Sequence, residues 1–133
     1  MLDSHEQETT VMKNILAGAL NGNADAQYNL GIMYASGLGV TQDYNEAVKW
    51  FRLSSGQGNA QAQDIYGLMY ASGRGVTQDY VRAHMWLNIS ASSGNTLAES
   101  NRDKVAKKMT QTQIEKAQEM ARRCQSSNFK NCD

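Results

Sequence analysis

A chain of 133 residues with 13 basic and 13 acidic side chains has no net charge to concentrate nucleic acid or anionic lipid at its surface, and 41% apolar with 8% aromatic residues describes a single domain with a thin, well-solvated core. No stretch approaches the roughly 20 apolar residues of a membrane span, so neither nucleic-acid binding nor membrane insertion is expected. The absence of proline beside 11 glycines points to helices packed back to back through glycine turns.

Residues 1–10 read as a flexible tail, with His5 inside it and no basic start or apolar run of a secretion signal. Residues 11–22 read as a capping helix, in which Val11, Ile15, Leu16 and Ala19 form an apolar stripe that ends at Gly22. Residues 23–58 and 59–94 are two copies of one unit in ungapped register, identical at 20 of 36 positions. A period in the range of about 20–50 residues is the signature of a solenoid. Each copy predicts two helices. Helix A of the first runs from about Ala24 to Ser36, with Ala26, Leu30 and Met33 facing the core and Gly37 ending it. Gly31 within it recurs as Gly67, although a glycine inside a helix costs about 1 kcal/mol relative to alanine, so a neighbouring helix is expected to approach closely there. Helix B starts after Asp43, a favourable N-cap, and turns Tyr44, Ala47, Val48 and Phe51 to the core. In the second copy that face reads Tyr80, Ala83, His84 and Leu87.

Residues 95–133 read as capping helices and a tail. The third copy starts at Asn95 and Ala98, then places Asp103 and Ala106 where the glycine and tyrosine stood, among Arg102, Lys104, Lys107 and Lys108. A polar outer face is what the end of a solenoid requires. Eight of the 13 basic residues fall in 99–133. A last helix follows from the capping box Thr110/Gln113, with Ile114, Ala117, Met120, Ala121 and Cys124 on its buried stripe and an irregular end from Ser126.

The pattern Ala24-x-Ala26-x-x-x-Leu30-Gly31-x-x-Tyr34-x-x-Gly37-x-Gly39-Val40-x-x-Asp43-x-x-x-Ala47-x-x-Trp50-Phe51, repeated with Tyr66 in place of the leucine, resembles the Sel1-like repeat, a relative of the tetratricopeptide repeat. The resemblance implies an all-α fold, an α/α superhelix of two repeats with capping helices at both ends, and a concave face of A helices that binds a protein or peptide partner. Family members act as adaptors, which implies a scaffold in bacterial envelope assembly, signalling or host interaction. Tetratricopeptide geometry carried onto this chain places Asp25, Tyr28, Asn29, Ile32 and Ser36, then Gln61, Asp64, Ile65, Leu68 and Ser72, then Leu97, Ser100 and Lys104 on that face. The alternative for Tyr28, Ile32 and Leu68 is that they pack against the next A helix.

Catalysis needs convergent titratable groups, and two histidines and two cysteines without ligand or nucleophile spacing do not supply them. No enzyme activity, cofactor or metal is expected. The competing reading is a hydrolase or metal-bearing domain centred on His84 and the cysteines, against which His84 is a satisfied core residue. Ser127-Asn128-Phe129-Lys130 spells S-x-x-K without the companion motifs of penicillin-binding enzymes. Trp50/Trp86 and Tyr34/Tyr70 recur with the period, as structural aromatics do. Cys124 and Cys132 sit close enough for a loop to fold back into a disulfide. A bonded pair suits a periplasmic or secreted protein, and two free thiols suit a cytosolic one. Two repeats could also be one piece of a longer solenoid.

Overall fold

The computed structural model describes residues 3–133; Met1 and Leu2 of the expected tail lie outside the described residues, as do the side chains of Ser4, His5 and Glu8. Seven helices and no strand are present among the described residues: α1 Ser4–Leu20, α2 Ala24–Ser36, α3 Tyr44–Ser55, α4 Ala60–Ser72, α5 Tyr80–Ser92, α6 Thr96–Ala106 and α7 Gln111–Ser126. The tail expected over residues 1–10 is corrected: Asp3 accepts a hydrogen bond from the backbone of Glu6 and starts α1 at Ser4, well ahead of the apolar stripe.

Repetition in sequence becomes repetition of caps and contacts. Asn23, Asn59 and Asn95 each accept from the backbone N–H three residues on, satisfying one of the orphan donors at the start of α2, α4 and α6. Gly37 and Gly73 end α2 and α4 in the left-handed region at φ 71°, a conformation a side chain would strain. The interior glycines serve packing. A Cβ on Gly31 would lie 2.7 Å from the Phe51 ring, and one on Gly67 would lie 2.9 Å from Leu87 Cγ and 3.1 Å from the Ala83 carbonyl. Each A helix therefore gives up intrinsic propensity to let its B helix come close.

Ser54 and Ser90 donate to the Ala24 and Ala60 carbonyls, tying the end of each B helix to the start of its A helix at 2.7 and 2.6 Å. Gln27 and Gln63 reach back to the Ala19 and Ser55 carbonyls of the preceding helix. The shared geometry of these last two bonds makes α1 the equivalent of a B helix. Its stripe is corrected: Ala19 is buried and Met12 and Ile15 are half-buried, whereas Val11 and Leu16 are exposed.

The main core joins α3, α4, α5 and α7 through Ala47, Phe51, Tyr66, Met85, Trp86, Ile89 and Cys124. Tyr66, where the first copy has Leu30, stacks at a tilt against Trp86 with ring centroids 5.4 Å apart. Burial, then the hydrogen bond with the Tyr70 hydroxyl, pushes its phenol far above the ordinary tyrosine range. The C-terminal end departs from the repeat. Helix α7, opened by the Thr110/Gln113 capping box, packs on α5 rather than pairing with α6. The chain then turns through Asn128 and Phe129, both left-handed, and the Cys124–Cys132 disulfide closes the loop. Phe129 comes to rest against Gly58, and Asp133 reaches Arg52 at 3.7 Å.

Candidate binding groove

Helices α2, α4 and α6 occupy the A position of successive copies and are linked by side-chain amides. Asn59 donates to Asp25 at 3.0 Å, and Asn101 donates to Asp64 at 3.1 Å. Between these helices runs an open groove of about 670 Å³, lined by Tyr28 of α2, by Asn59, Ala60, Gln61, Asp64 and Ile65 at the start of α4, and by Ser93 through Leu97 at the start of α6. Tyr28 and Ile65 are half-buried and fixed against the core, Tyr28 through a tilted contact with Phe51 at 6.1 Å. Leu97 is 70% exposed. A fixed apolar floor, one free leucine and a rim of amides and hydroxyls is the composition that holds a peptide by an anchor with polar flanks.

The thirteen residues expected on the concave face divide. Tyr28, Gln61, Asp64, Ile65 and Leu97 line this groove. Ile65, Leu68 and Ser72 line a smaller neighbouring depression of about 220 Å³, beside Arg74, which lies over the Tyr44 ring. Asn29 and Ile32 face a third, apolar concavity between α1 and α2. Asp25, Ser36, Ser100 and Lys104 line none of the three, and the Ser36 hydroxyl is turned back to the Ile32 carbonyl at 2.7 Å. Asp64 is buried and held by Asn101, so this acid and Asp25 tie one A helix to the next. Asn59, Ala60 and the Ser93–Thr96 turn were missed. The recurrence of asparagine at 23, 59 and 95 was the available signal, since it puts successive helix starts side by side.

His84 sits on α5, 3% exposed, with Nδ1 lacking a hydrogen-bond partner. Burial lowers its pKa below the ordinary 6.5, and the nearby Arg102 lowers it further against the opposing pull of Asp103. A neutral imidazole enclosed in packing has no access to a substrate. The satisfied core residue expected of His84 is thus corrected in one respect, because this ring nitrogen is buried without a partner. Cys124 and Cys132 are bonded to each other, so neither offers a thiolate to a metal or an acyl group. A catalytic or metal-bearing centre built on these three residues finds no support. No helix among the described residues is long and apolar enough to cross a membrane.

The family model described as Sel1 repeat matches residues 24–59 and 60–95. Among solved structures, the chain is similar to c5321 of Escherichia coli, described as a protective antigen present in uropathogenic strains and displaying an SLR fold, at 30% identity and a TM-score of 0.87 over 96% of this chain. It is also similar to a Sel1 repeat protein from Oxalobacter formigenes, at 33% identity and a TM-score of 0.66 over 68% of this chain. The chain spans 28% of the length of the first and 37% of the second. No curated protein matches it.

Proposed function

Because this chain belongs to the Sel1 repeat family, whose fold generally mediates protein–protein interaction, we propose that it is an adaptor that holds a segment of a partner protein in the groove between α2, α4 and α6. The observation that carries the reading is the exposed Leu97 standing opposite the half-buried Tyr28 and Ile65 across a concavity shared by three A helices. Hot spots of protein interfaces are such apolar anchors, ringed by polar groups that exclude water. Leu68 in the adjoining depression extends the anchor along the same face.

The Cys124–Cys132 bond favours an oxidising compartment, so the adaptor works in the periplasm or outside the cell, in envelope assembly, signalling or contact with a host. The similar Escherichia coli protein is described as a protective antigen, which agrees with a location reachable from outside. The test is a crosslinked pull-down from the source cells with wild-type protein and with the Leu68→Asp/Leu97→Asp variant, read by mass spectrometry. A partner captured by the wild type and lost by a variant with an unchanged helical circular-dichroism spectrum supports the groove. The same set captured by both contradicts it.

A further inference from the structure

The two copies of the repeat treat one buried amide differently. Gln27 and Gln63 stand in register and each donates to a carbonyl of the preceding helix, Gln27 to Ala19 at 3.2 Å and Gln63 to Ser55 at 3.1 Å, so the two carboxamides share one orientation. The other side of the Gln27 amide is closed by Gln57, whose Nε2 donates to its Oε1 at 2.7 Å. One period later Ser93 stands in place of Gln57 and turns its hydroxyl back to the Ile89 carbonyl. Gln63, fully buried, is left with an Oε1 that has no hydrogen-bond partner among the described residues. Such an oxygen forfeits the bond it had in water. Gln57 is itself exposed, so the route from solvent to that oxygen runs past position 57, and past Ser93 in the second copy.

Ser93, Gly94 and Asn95 wall one side of the groove, and the seam there is open. Asn59 bridges to Asp25 in the first copy, whereas Asn95 donates to the Ser90 hydroxyl instead of crossing to Gln61, the counterpart of Asp25. A Cβ on Gly58 would meet the Phe129 ring at 3.2 Å, but one on Gly94 would meet nothing within 4 Å. The acid of the segment has moved as well. In the first copy it is the exposed Asp25; in the second it is the buried Asp64, which takes the place of Tyr28. Of the described residues that line the groove, Asp64 alone is charged. Relative to the first copy, the groove has lost a donor and gained a carboxylate, and a cation with several N–H groups complements both changes.

We propose that the groove selects its partner segment through an arginine, whose guanidinium enters past Ser93, donates to Gln63 Oε1 in the place of Gln57 and pairs with Asp64. This rests on the groove being the binding surface and adds the chemistry it recognises. Arginine fits better than lysine, because a planar fork of N–H donors reaches two acceptors at once and stacks on an aromatic ring such as Tyr28 in the same groove.

The probe is N-acetyl-leucyl-arginine amide added to the intact, isotope-labelled chain, with the side-chain amide resonances of Gln63 and Asn101 as readouts. Saturable binding at millimolar probe that shifts both resonances is expected. The citrulline counterpart, alike in shape but uncharged, should bind at least about tenfold more weakly, as should arginine to an Asp64→Asn chain, which keeps an acceptor for Asn101. Ser93→Gln restores the first copy's donor at an exposed position, so it should raise the melting temperature and weaken probe binding by a similar factor. The proposal is overturned by no saturable binding at millimolar probe, by shifts that miss Gln63, or by a citrulline probe or Ser93→Gln chain that binds as tightly as its parent. Failure of the groove itself reads differently in the crosslinked pull-down. A partner kept by Ser93→Gln and lost by Leu68→Asp/Leu97→Asp removes the arginine and spares the groove, whereas a partner kept by both variants removes the groove as well.

Discussion

The first helix and the third copy of this solenoid treat the repeat in opposite ways. At the N-terminal end α1 keeps the register of a B helix, with apolar residues at the positions that receive an A helix, and leaves Val11 and Leu38 exposed. At the C-terminal end the third copy keeps its asparagine cap and the buried Ala98, but puts Asp103 where Gly31 and Gly67 admit a B helix. A helix cannot come that close to an aspartate, and α7 crosses to α5 instead, where the disulfide fastens the tail over the B-helix side. Asp103 thus marks where the third copy leaves the repeat, whereas α1 keeps its register.

The largest effect expected from this contrast lies at equivalent residues. Phe51→Ala empties a fully enclosed site and should cost about 3–5 kcal/mol, whereas Ile15→Ala, one period earlier and half-buried, should cost less than about 2 kcal/mol. Urea denaturation of both variants measures this, and equal losses would mean that α1 is already packed like α3. Breaking the disulfide comes next. Cys124→Ser with Cys132→Ser, or reduction, should cost about 2–3 kcal/mol for so short a loop, with faster amide exchange around Phe129 and Gly58 and no change in α1 and α2.

On the groove face, Leu97→Asp should shift stability by less than about 0.5 kcal/mol, as an exposed position does, whereas Ile65→Asp should cost more than about 2 kcal/mol because the charge enters packing. The smallest effect concerns the B faces of the two copies. His84 replaces Val48 and is held neutral by burial, so the unfolded chain binds more protons than the folded one below the ordinary histidine value of 6.5. Its contribution to stability is complete above that pH and is lost as pH falls through it. His84→Val should flatten this part of a stability-against-pH curve.

Much of this architecture was legible in the sequence because its signals are periodic. The 36-residue spacing set helices α2 to α5, the glycines at 31 and 67 announced the close approaches to Phe51 and Leu87, and Thr110/Gln113 marked the start of α7. The short Cys124–Cys132 spacing, too, was readable as a closed loop. What escaped was the consequence of missing neighbours. An apolar stripe through Val11 and Leu16 predicts a buried face only where another helix covers it. Asp25 and Asp64 read as acids of the partner-binding face, since nothing in sequence shows that Asn59 and Asn101, 34 and 37 residues away, bring an amide to each. The groove was read in part for the same reason: its rim comes from helix starts that adjoin only once the repeats stack.

The central claim, that the A-helix groove is the working surface, is tested most directly by placing a photo-crosslinking amino acid at position 97, and in a separate variant at the exposed position 118 on α7, in the source cells. The account predicts a discrete adduct with one protein from position 97 and none from position 118. An adduct from position 118 alone would contradict it and move the working surface to the C-terminal helix.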